Sequence, residues 1–325
     1  MKFANAVKRD RRARRTNEGV KDTTRTFYEE IVVRAVRRVV ANLDGALDLN
    51  ALAKEAALAP LHFHRIFRGM VGETPLELHR RLRLERAAMQ LADGDAAVTT
   101  IAFDAGYETH EAFTRAFHRA FVMSPSAFRD DQRRAREACE RTRSCELASA
   151  SGVHYARDVA LTFLPGATTV IVSIEQVPEL RLATVHHIGS YDTIARAFAR
   201  LGQLAGPAGL IHGECRMIAV YHDDPESTPA AELRSDAALS VRADASLPAG
   251  LDEGRIPGGK YAKTIHKGPY TGLGDAWSRF MGVWLPKSGR TLGAGAMFEV
   301  YKNTPENAKP EDLVTELYLS VTDEK

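Results

Sequence analysis

Two arginines lie on the polar faces of two similar, predicted helical segments. In each segment the apolar residues recur at i, i+3, i+4 and i+7, which predicts an amphipathic helix, and Arg65 or Arg115 falls on the polar side. A guanidinium displayed on such a face is suited to bidentate hydrogen bonding with guanine. The segments repeat with a constant offset of 50, and the matched pairs are Phe63/Phe113, Arg65/Arg115, Phe67/Phe117 and Pro75/Pro125.

A carboxylate inside an apolar strand pattern is the second chemical feature. Glu299 lies in the run Met297 to Tyr301, on the same predicted face as both end residues. Burial of a charged carboxylate costs several kcal/mol unless the carboxylate is paired. We interpret Glu299 as an acceptor for a cationic or hydrogen-bond-donating ligand; the alternative is a Glu on a wet strand face or one paired internally. The candidate ligand-binding residues are Glu299, Trp277, Tyr270, Tyr191, Tyr301 and Met297.

The elements around the two arginine segments indicate helix-turn-helix units. Each segment follows a short helix-like run and a turn, which contains Pro60 in the first copy and Gly106 in the second. The second turn is one residue longer than the first. In a helix-turn-helix unit the second helix enters the major groove. The alternative is a pair of helical hairpins with solvated arginines, and the matched repeat favours the DNA-reading interpretation.

The same stretch resembles the AraC/XylS-type DNA-binding domain, in residues 52–91 for its first half and 101–129 for its second. The resemblance implies that a long helix, about residues 75–91, holds two reading helices apart, so that one monomer reaches two adjacent major-groove segments. It also implies double-stranded DNA as partner and RNA polymerase as a further candidate partner. Carried over by position, the DNA-binding residues are Leu61, His64, Arg65, Arg68, His110, Glu111 and Arg115.

Charge is distributed unequally between the two halves of the chain. Residues 1–143 hold 27 Lys+Arg against 20 Asp+Glu, a net of +7, whereas residues 144–325 hold 17 against 22, a net of −5. A phosphate-bearing partner is therefore expected for the first half. The basic start of the sequence, residues 1–22, is predicted to be a disordered tail. This segment lacks the apolar run of a secretory signal, and no window of the sequence predicts a membrane span. We therefore expect a cytoplasmic protein.

A second repeat predicts the architecture of the C-terminal half. His187-Ile-Gly-Ser-Tyr191 recurs as His266-Lys-Gly-Pro-Tyr270, and each copy is followed by a helix-like run and further strands. We therefore predict an all-α double helix-turn-helix domain followed by an α+β domain of two pseudo-symmetric strand-helix-strand-strand units with a cleft between them. The predicted boundaries are a tail at 1–22, the DNA-binding domain at 23–137, a linker at 138–158 and the α+β domain at 159–325.

Residues from about 170 to 321 resemble the GyrI-like effector-binding domain, on elements that include "HIGSY", "GGKYAKTIHKGPYTGLGDAW" and "FEVYKNTP". The resemblance implies a central aromatic cleft in which Glu299 and Trp277 contact a bulky cationic or aromatic effector. It also leaves hydrolysis open, because the family includes hydrolases of reactive small molecules.

Together these features predict a sequence-specific transcriptional regulator that responds to a small effector, with no catalytic residues, metal ligands or cofactor. Three cysteines, Cys139, Cys145 and Cys215, form neither a metal-binding pattern nor an even disulfide set. One alternative is a C-terminal domain that sequesters or hydrolyses a toxic small molecule with Glu299 as general base. Another is a nucleoid-type or gyrase-modulating protein that binds DNA without sequence preference.

Overall fold

The N-terminal half of the computed structural model is entirely helical, and the C-terminal half combines one antiparallel sheet with short helices, which confirms the predicted fold class. The structure describes residues 2–142 and 170–323, and the side chains of residues 19–137 and 170–323. The N-terminal helices are α1 (Lys2–Ala41), α2 (Leu49–Glu55), α3 (Pro60–Val71), α4 (Pro75–Asp93), α5 (Val98–Asp104), α6 (His110–Phe121) and α7 (Pro125–Thr142).

Helices α2 and α3 form the first helix-turn-helix unit, and α5 and α6 form the second. The turns are residues 56–59 and 105–109, so the second turn is one residue longer, as predicted. Gly106 has a φ of 77°, a left-handed conformation that glycine adopts without steric cost. Ala57, the equivalent residue in the first turn, has a φ of 54°.

The two helices predicted to read DNA, α3 and α6, begin and end at defined caps. Pro60 starts α3, and its fixed φ suits the first helical position. The side chain of Thr109 accepts a hydrogen bond from the backbone N–H of Ala112 at the start of α6. At their C-terminal ends, α3 stops at Gly72 and α6 stops at Val122, and both residues are left-handed, with φ of 90° and 61°.

The second helix-turn-helix unit packs on its own apolar core together with α4 and α7. Leu91 of α4, Ile101 of α5, Phe113 and Phe117 of α6 and Phe128 of α7 are each at most 3% exposed. The stripe predicted from the spacing of Phe113 and Phe117 is therefore the buried face of α6, and its opposite face is left to solvent.

The C-terminal half contains β1 (Ser173–Val177), β2 (Leu180–Ile188), α8 (Ala195–Ala205), β3 (Met217–Tyr221), β4 (Arg234–Val241), β5 (Asp252–Ile256), β6 (Gly259–Lys267), α9 (Leu273–Arg279), a π-helical turn (Phe280–Trp284), β7 (Arg290–Leu292), β8 (Phe298–Tyr301) and β9 (Val314–Asp323). Short 3₁₀ turns lie at Tyr191–Thr193, Tyr270–Gly272, Leu285–Lys287 and Pro310–Asp312. The sheet order is β1-β6-β9-β8-β3-β4-β2-β5, with β7 paired to β9.

This strand order divides the C-terminal sheet and its helices into two equivalent halves. Strands β2, β3 and β4 with α8 form one half, and β6, β8 and β9 with α9 form the other, as the sequence repeat predicted. The halves meet where β3 pairs with β8, and there Ala219 lies directly opposite Glu299. Two residues equivalent by sequence are thus cross-strand partners at the pseudo-twofold axis.

The described residues divide into two compact units. One unit comprises residues 2–33, 49–72 and 170–323, and the other comprises residues 34–48 and 73–142. Helices α2 and α3, expected in a domain at 23–137, therefore pack in the unit that contains the sheet, because the polar face of α3 finds partners there. The predicted linker at 138–158 overlaps the end of α7, and residues 143–158 lie outside the described part of the chain.

Helix α1 begins at Lys2, within the segment that we expected to be a disordered tail, residues 1–22. Alanine, arginine and lysine are the most frequent residues of that segment, and all three favour helix. The prediction of disorder considered the charge of the segment and not its helix propensity. Among the described residues, no helix is both long enough and apolar enough to cross a membrane.

We expect Val122→Gly to raise the free energy of unfolding of the second helix-turn-helix unit by about 0.5–1 kcal/mol. A β-branched residue in the left-handed region is strained, and Val122 is 81% exposed, so its removal loses little packing. Urea unfolding followed by far-UV circular dichroism measures the change. Val98→Gly, at the first residue of α5, serves as the control and should destabilise, since the Val98 side chain packs against the apolar core of this unit. An unfolding midpoint for Val122→Gly at or below that of the wild type would show that the left-handed cap carries no strain.

Candidate functional site

A buried carboxylate lies at the centre of the C-terminal domain. Glu299 is on β8 beside the pseudo-twofold axis and is 2% exposed. Ala219 opposite it is fully buried and small, so the first half of the domain leaves room where the second half supplies the carboxylate.

Both oxygens of this carboxylate accept hydrogen bonds from aromatic side chains. Trp277 Nε1 donates to Oε1 over 2.7 Å, and the Tyr301 hydroxyl donates to Oε2 over 2.8 Å. The Tyr221 hydroxyl lies 3.1 Å from that of Tyr301 and extends the network. Such donors satisfy a buried acceptor that would otherwise be costly. Burial raises the pKa of Glu299, while these two hydrogen bonds and the charge of Arg65 act in the opposite direction.

Aromatic rings form the walls of a cleft above Glu299. Tyr191 packs edge-on against Tyr221 at 4.7 Å between ring centroids, and Tyr270 and Phe198 pack against Tyr301 at 5.2 and 5.5 Å. The cavity has a volume of about 1050 Å³. Burial raises the pKa of both Tyr221 and Tyr301 well above that of a free phenol, so both hydroxyls stay protonated and available as donors.

The repeated His-x-Gly-x-Tyr motif places two of these tyrosines. Gly189 and Gly268 have φ of 134° and 130°, which glycine tolerates, and each directly follows the last residue of a strand. His187 and His266 each bring Nε2 to 3.1 Å from the carbonyl oxygen three residues later, which closes the turn. The motif is therefore a structural device that turns Tyr191 and Tyr270 towards the cleft.

Arg65 of α3 occupies this cleft. Its guanidinium carbon lies 4.3 Å from the centroid of the Trp277 ring, a cation–π geometry. Its Nη1 donates to Met297 Sδ over 3.6 Å. Burial lowers the pKa of Arg65 to about 10, against the opposing effect of the Glu299 charge, so the guanidinium is still protonated at neutral pH.

Polar contacts of two neighbouring residues, His64 and Arg68, flank this arginine. His64 Nδ1 lies 3.0 Å from Asp224 Oδ1 and 3.5 Å from Glu226 Oε2, and Arg68 Nη2 lies 2.8 Å from Asp275 Oδ1. Leu61, one turn before Arg65, is 5% exposed and also lines the cavity. All four residues predicted to read DNA from α3 thus contact or line the C-terminal cleft in this structure.

Helix α6, the second helix predicted to read DNA, differs from α3 in the exposure of its polar face. Glu111 and Arg115 on α6 are exposed, and His110 at its first residue is partly buried. Hydrogen bonds from its own backbone N–H and from Thr109 lower the pKa of Glu111, so this carboxylate is ionised at neutral pH. In this helix the predicted DNA-binding residues lie on a surface that DNA can reach.

The structure brings the predicted ligand-binding residues together. Glu299, Trp277, Tyr270, Tyr191 and Tyr301 line the cavity, and Met297 contacts Arg65 beside it. Two further lining aromatics, Tyr221 and Phe198, were not predicted as ligand contacts. The repeat held the signal for Tyr221, which matches Tyr301 at an offset of 80. Among the described residues, no His/Cys/Asp/Glu group has the geometry of a metal site.

The fold and cleft define a class: a helix-turn-helix protein whose C-terminal α+β domain has the form of a small-molecule-binding domain. Residues 172–322 match the family model of the GyrI-like small molecule binding domain, and residues 52–131 match that of a helix-turn-helix domain. The chain belongs to the AraC-type helix-turn-helix transcriptional regulators that carry a GyrI-like domain.

Relatives of known name match one half or the other. A DNA gyrase inhibitor of Yersinia enterocolitica is 34% identical over 135 residues, which are 40% of this chain and 84% of that protein. The regulatory protein SoxS of Salmonella typhimurium is 28% identical over 102 residues, 31% of this chain and 95% of SoxS. A cryo-EM structure of an EcmrR–DNA complex covers 85% of this chain and 99% of its own, at 14% identity and a TM-score of 0.43.

Acidification should lower the free energy of unfolding of the compact unit that contains α3. Burial, aided by the charge of Arg65, lowers the pKa of His62 on α3 from 6.5 to about 4. Between these two pH values the unfolded chain binds a proton that the folded chain excludes, so stability falls as the pH drops from about 6.5 to about 4. Urea unfolding read by Trp277 and Trp284 fluorescence measures this slope.

The matched variants are His62→Gln, which removes the group, and His118→Gln, which changes an exposed histidine on α6. The first should flatten the pH dependence in this window, and the second should leave it unchanged. Equal slopes for wild type and His62→Gln would show that His62 accepts its proton as easily in the folded protein as in the unfolded chain.

Proposed function

We propose that this regulator binds a bulky aromatic cation in the cleft and that this ligand controls its binding to DNA. The observation that carries the proposal is the pairing of a buried carboxylate, Glu299, with the Trp277 ring that already lies against a guanidinium. A buried negative charge and an aromatic face are the two features that select a cation.

The size of the cleft supports a bulky ligand. Its volume of about 1050 Å³ lies just above the roughly 300–1,000 Å³ typical of ligand sites. Several tyrosines around Glu299 supply apolar ring surface with hydroxyl groups at the edges. A ligand with two or more aromatic rings and one delocalised positive charge fits both the volume and the chemistry.

The hydrogen bonding of Glu299 favours binding over hydrolysis. The hydrogen bonds that Trp277 and Tyr301 donate to its two oxygens act to lower the pKa of Glu299, which disfavours proton abstraction. Each oxygen can still accept a further contact from a ligand cation. The hydrolytic alternative predicts loss of the compound over time, which chromatography of the binding mixture detects.

The N-terminal half supplies DNA recognition. The exposed Arg115 on α6 suits bidentate contact with guanine, and the ionised Glu111 one turn earlier suits a cytosine amine. We propose double-stranded DNA as the partner, read in the major groove by α6 and α3. Contact with RNA polymerase stays a prediction from the family resemblance.

A guanidinium ligand should bind the full chain at least about tenfold more tightly than its neutral isostere. The test compounds are 2-(biphenyl-4-yl)ethylguanidinium and the matching urea, compared by isothermal titration calorimetry. A charge-assisted contact contributes about 1.5–3 kcal/mol, so Glu299→Gln should remove most of this preference while retaining one acceptor oxygen.

The ratio of the two affinities is the informative quantity, since both compounds meet the same residues in the cleft. Glu306→Gln, an exposed carboxylate at the rim, is the control and should keep the preference. Equal binding of guanidinium and urea by the wild type would remove Glu299 from the ligand site.

Arg115→Ala should cost about 1–3 kcal/mol of specific DNA affinity and leave folding unchanged, because Arg115 is exposed. The DNA is obtained by selection from random fragments, and affinity is measured by fluorescence anisotropy at fixed salt. Arg200→Ala on α8 removes the same charge from an exposed helix of the other domain and is the control. Identical affinities for the two variants would mean that α6 is not a reading helix.

A further inference from the structure

Helix α3 presents the same face to the cleft that a reading helix presents to DNA. Leu61, Arg65 and Arg68 follow one another at helical spacing, and His64 lies beside them. Each of the four lines the cavity. A side chain cannot contact a base edge and the cleft at the same time, so this arrangement and DNA reading by α3 exclude each other.

Arg65 occupies the place of a ligand cation. Its guanidinium lies against Trp277, whose indole N–H is hydrogen-bonded to Glu299. It therefore uses the ring and the buried negative charge that we assign to the effector. In this structure the part of the cleft beside Trp277 and Glu299 is therefore occupied by a residue of the same chain.

Acidic residues flank Arg65 through the two neighbouring polar residues of α3. Asp224 and Glu226 lie against His64, and Asp275 pairs with Arg68. Asp224 is 3% exposed, and it belongs to a loop held by the bidentate ion pair between Asp223 and Arg234. The negative charges are thus part of an ordered surface that matches the basic and polar face of α3.

A glycine pair makes the contact exceptionally close. A Cβ atom built on Gly282, in the π-helical turn, would lie 2.4 Å from Gly69 Cα, and one built on Gly69 would lie 1.9 Å from the carbonyl oxygen of Ser278. No side chain fits in either position. The approach of α3 to the domain therefore depends on two glycines, one on each side.

From these contacts we propose that α3 is the internal ligand of the cleft, and that an aromatic cation displaces Arg65 and releases α3 to read DNA. The inference rests on the proposed function, since it uses the same cleft and the same reading helix. Release raises DNA affinity because the apparent dissociation constant is the intrinsic constant divided by the fraction of molecules in the competent state. By linkage, DNA should also tighten effector binding.

Gly282→Ala is the sharpest test, because its methyl group would overlap Gly69 and it alters no residue assigned to DNA or effector binding. We expect the full-length variant to bind selected DNA at least about tenfold more tightly than the wild type. Gly274→Ala in the adjacent helix α9 is the matched control, since its Cβ meets nothing within 4 Å, and it should bind DNA as the wild type does. Asp275→Asn, at an exposed position that pairs with Arg68, should give a smaller rise in the same direction.

The biphenylethylguanidinium compound provides the second arm. It should raise the DNA affinity of the wild type towards that of Gly282→Ala and leave the variant unchanged, which excludes a direct effect on DNA. In the absence of DNA it should increase amide hydrogen exchange in α3. The DNA is selected with the wild type and with Gly282→Ala in parallel, so that a reader blocked in the wild type is still found.

The outcomes separate the two proposals. If the compound binds in calorimetry but DNA affinity and α3 exchange do not change, and Gly282→Ala binds DNA like the wild type, the cleft binds cations and α3 is not their competitor. A compound that lowers DNA affinity or protects α3 overturns the inference in the same way. If no protein enriches a DNA site, DNA reading itself fails, and this inference fails with it.

Discussion

The hydrogen bonds from Trp277 and Tyr301 to the two oxygens of Glu299 join α9 and β8 at the centre of the C-terminal domain. A buried carboxylate without these donors would be costly, so the aromatic cleft and its charge are parts of one arrangement. Tyr221 attaches the other half of the domain to the same network. What the cleft accepts follows from this carboxylate being buried and hydrogen-bonded at both oxygens.

Under the proposed release from the cleft, α3 has two surroundings of similar chemistry. Guanidinium groups pair well with carboxylates and with the edges of guanine, and a flat aromatic surface is available beside Glu299 in one case and in the stacked bases in the other. Arg65 suits both, which explains why a residue typical of a reading helix is found over Trp277. Helix α6 has its predicted DNA-binding residues Glu111 and Arg115 exposed, so the two helix-turn-helix units of one chain have unequal access to DNA in this structure.

The periodicity of apolar residues and the two sequence repeats predicted most of the fold. The spacing of Phe63, Phe67, Phe113 and Phe117 predicted which apolar faces of α3 and α6 are buried. The repeated His-x-Gly-x-Tyr motif predicted the two halves of the sheet. The apolar neighbours of Glu299 marked the centre of the cleft. The partner of the polar face of α3 could not be predicted, because periodicity shows that a face is polar but not what covers it. The donors Trp277 and Tyr301 are separated from each other in sequence, so their convergence on one carboxylate needed the fold.

The cross-strand pair of Ala219 and Glu299 sets a condition on how such a domain can be built. If the two halves were identical chains, the residue facing Glu299 across the axis would be a second glutamate, and two buried carboxylates at directly opposed positions would repel each other. A single carboxylate on the axis requires halves that differ. Covalent fusion of the halves lets one keep an alanine while the other carries the charge, so the duplicated, single-chain form of this domain is what makes an asymmetric anionic centre possible.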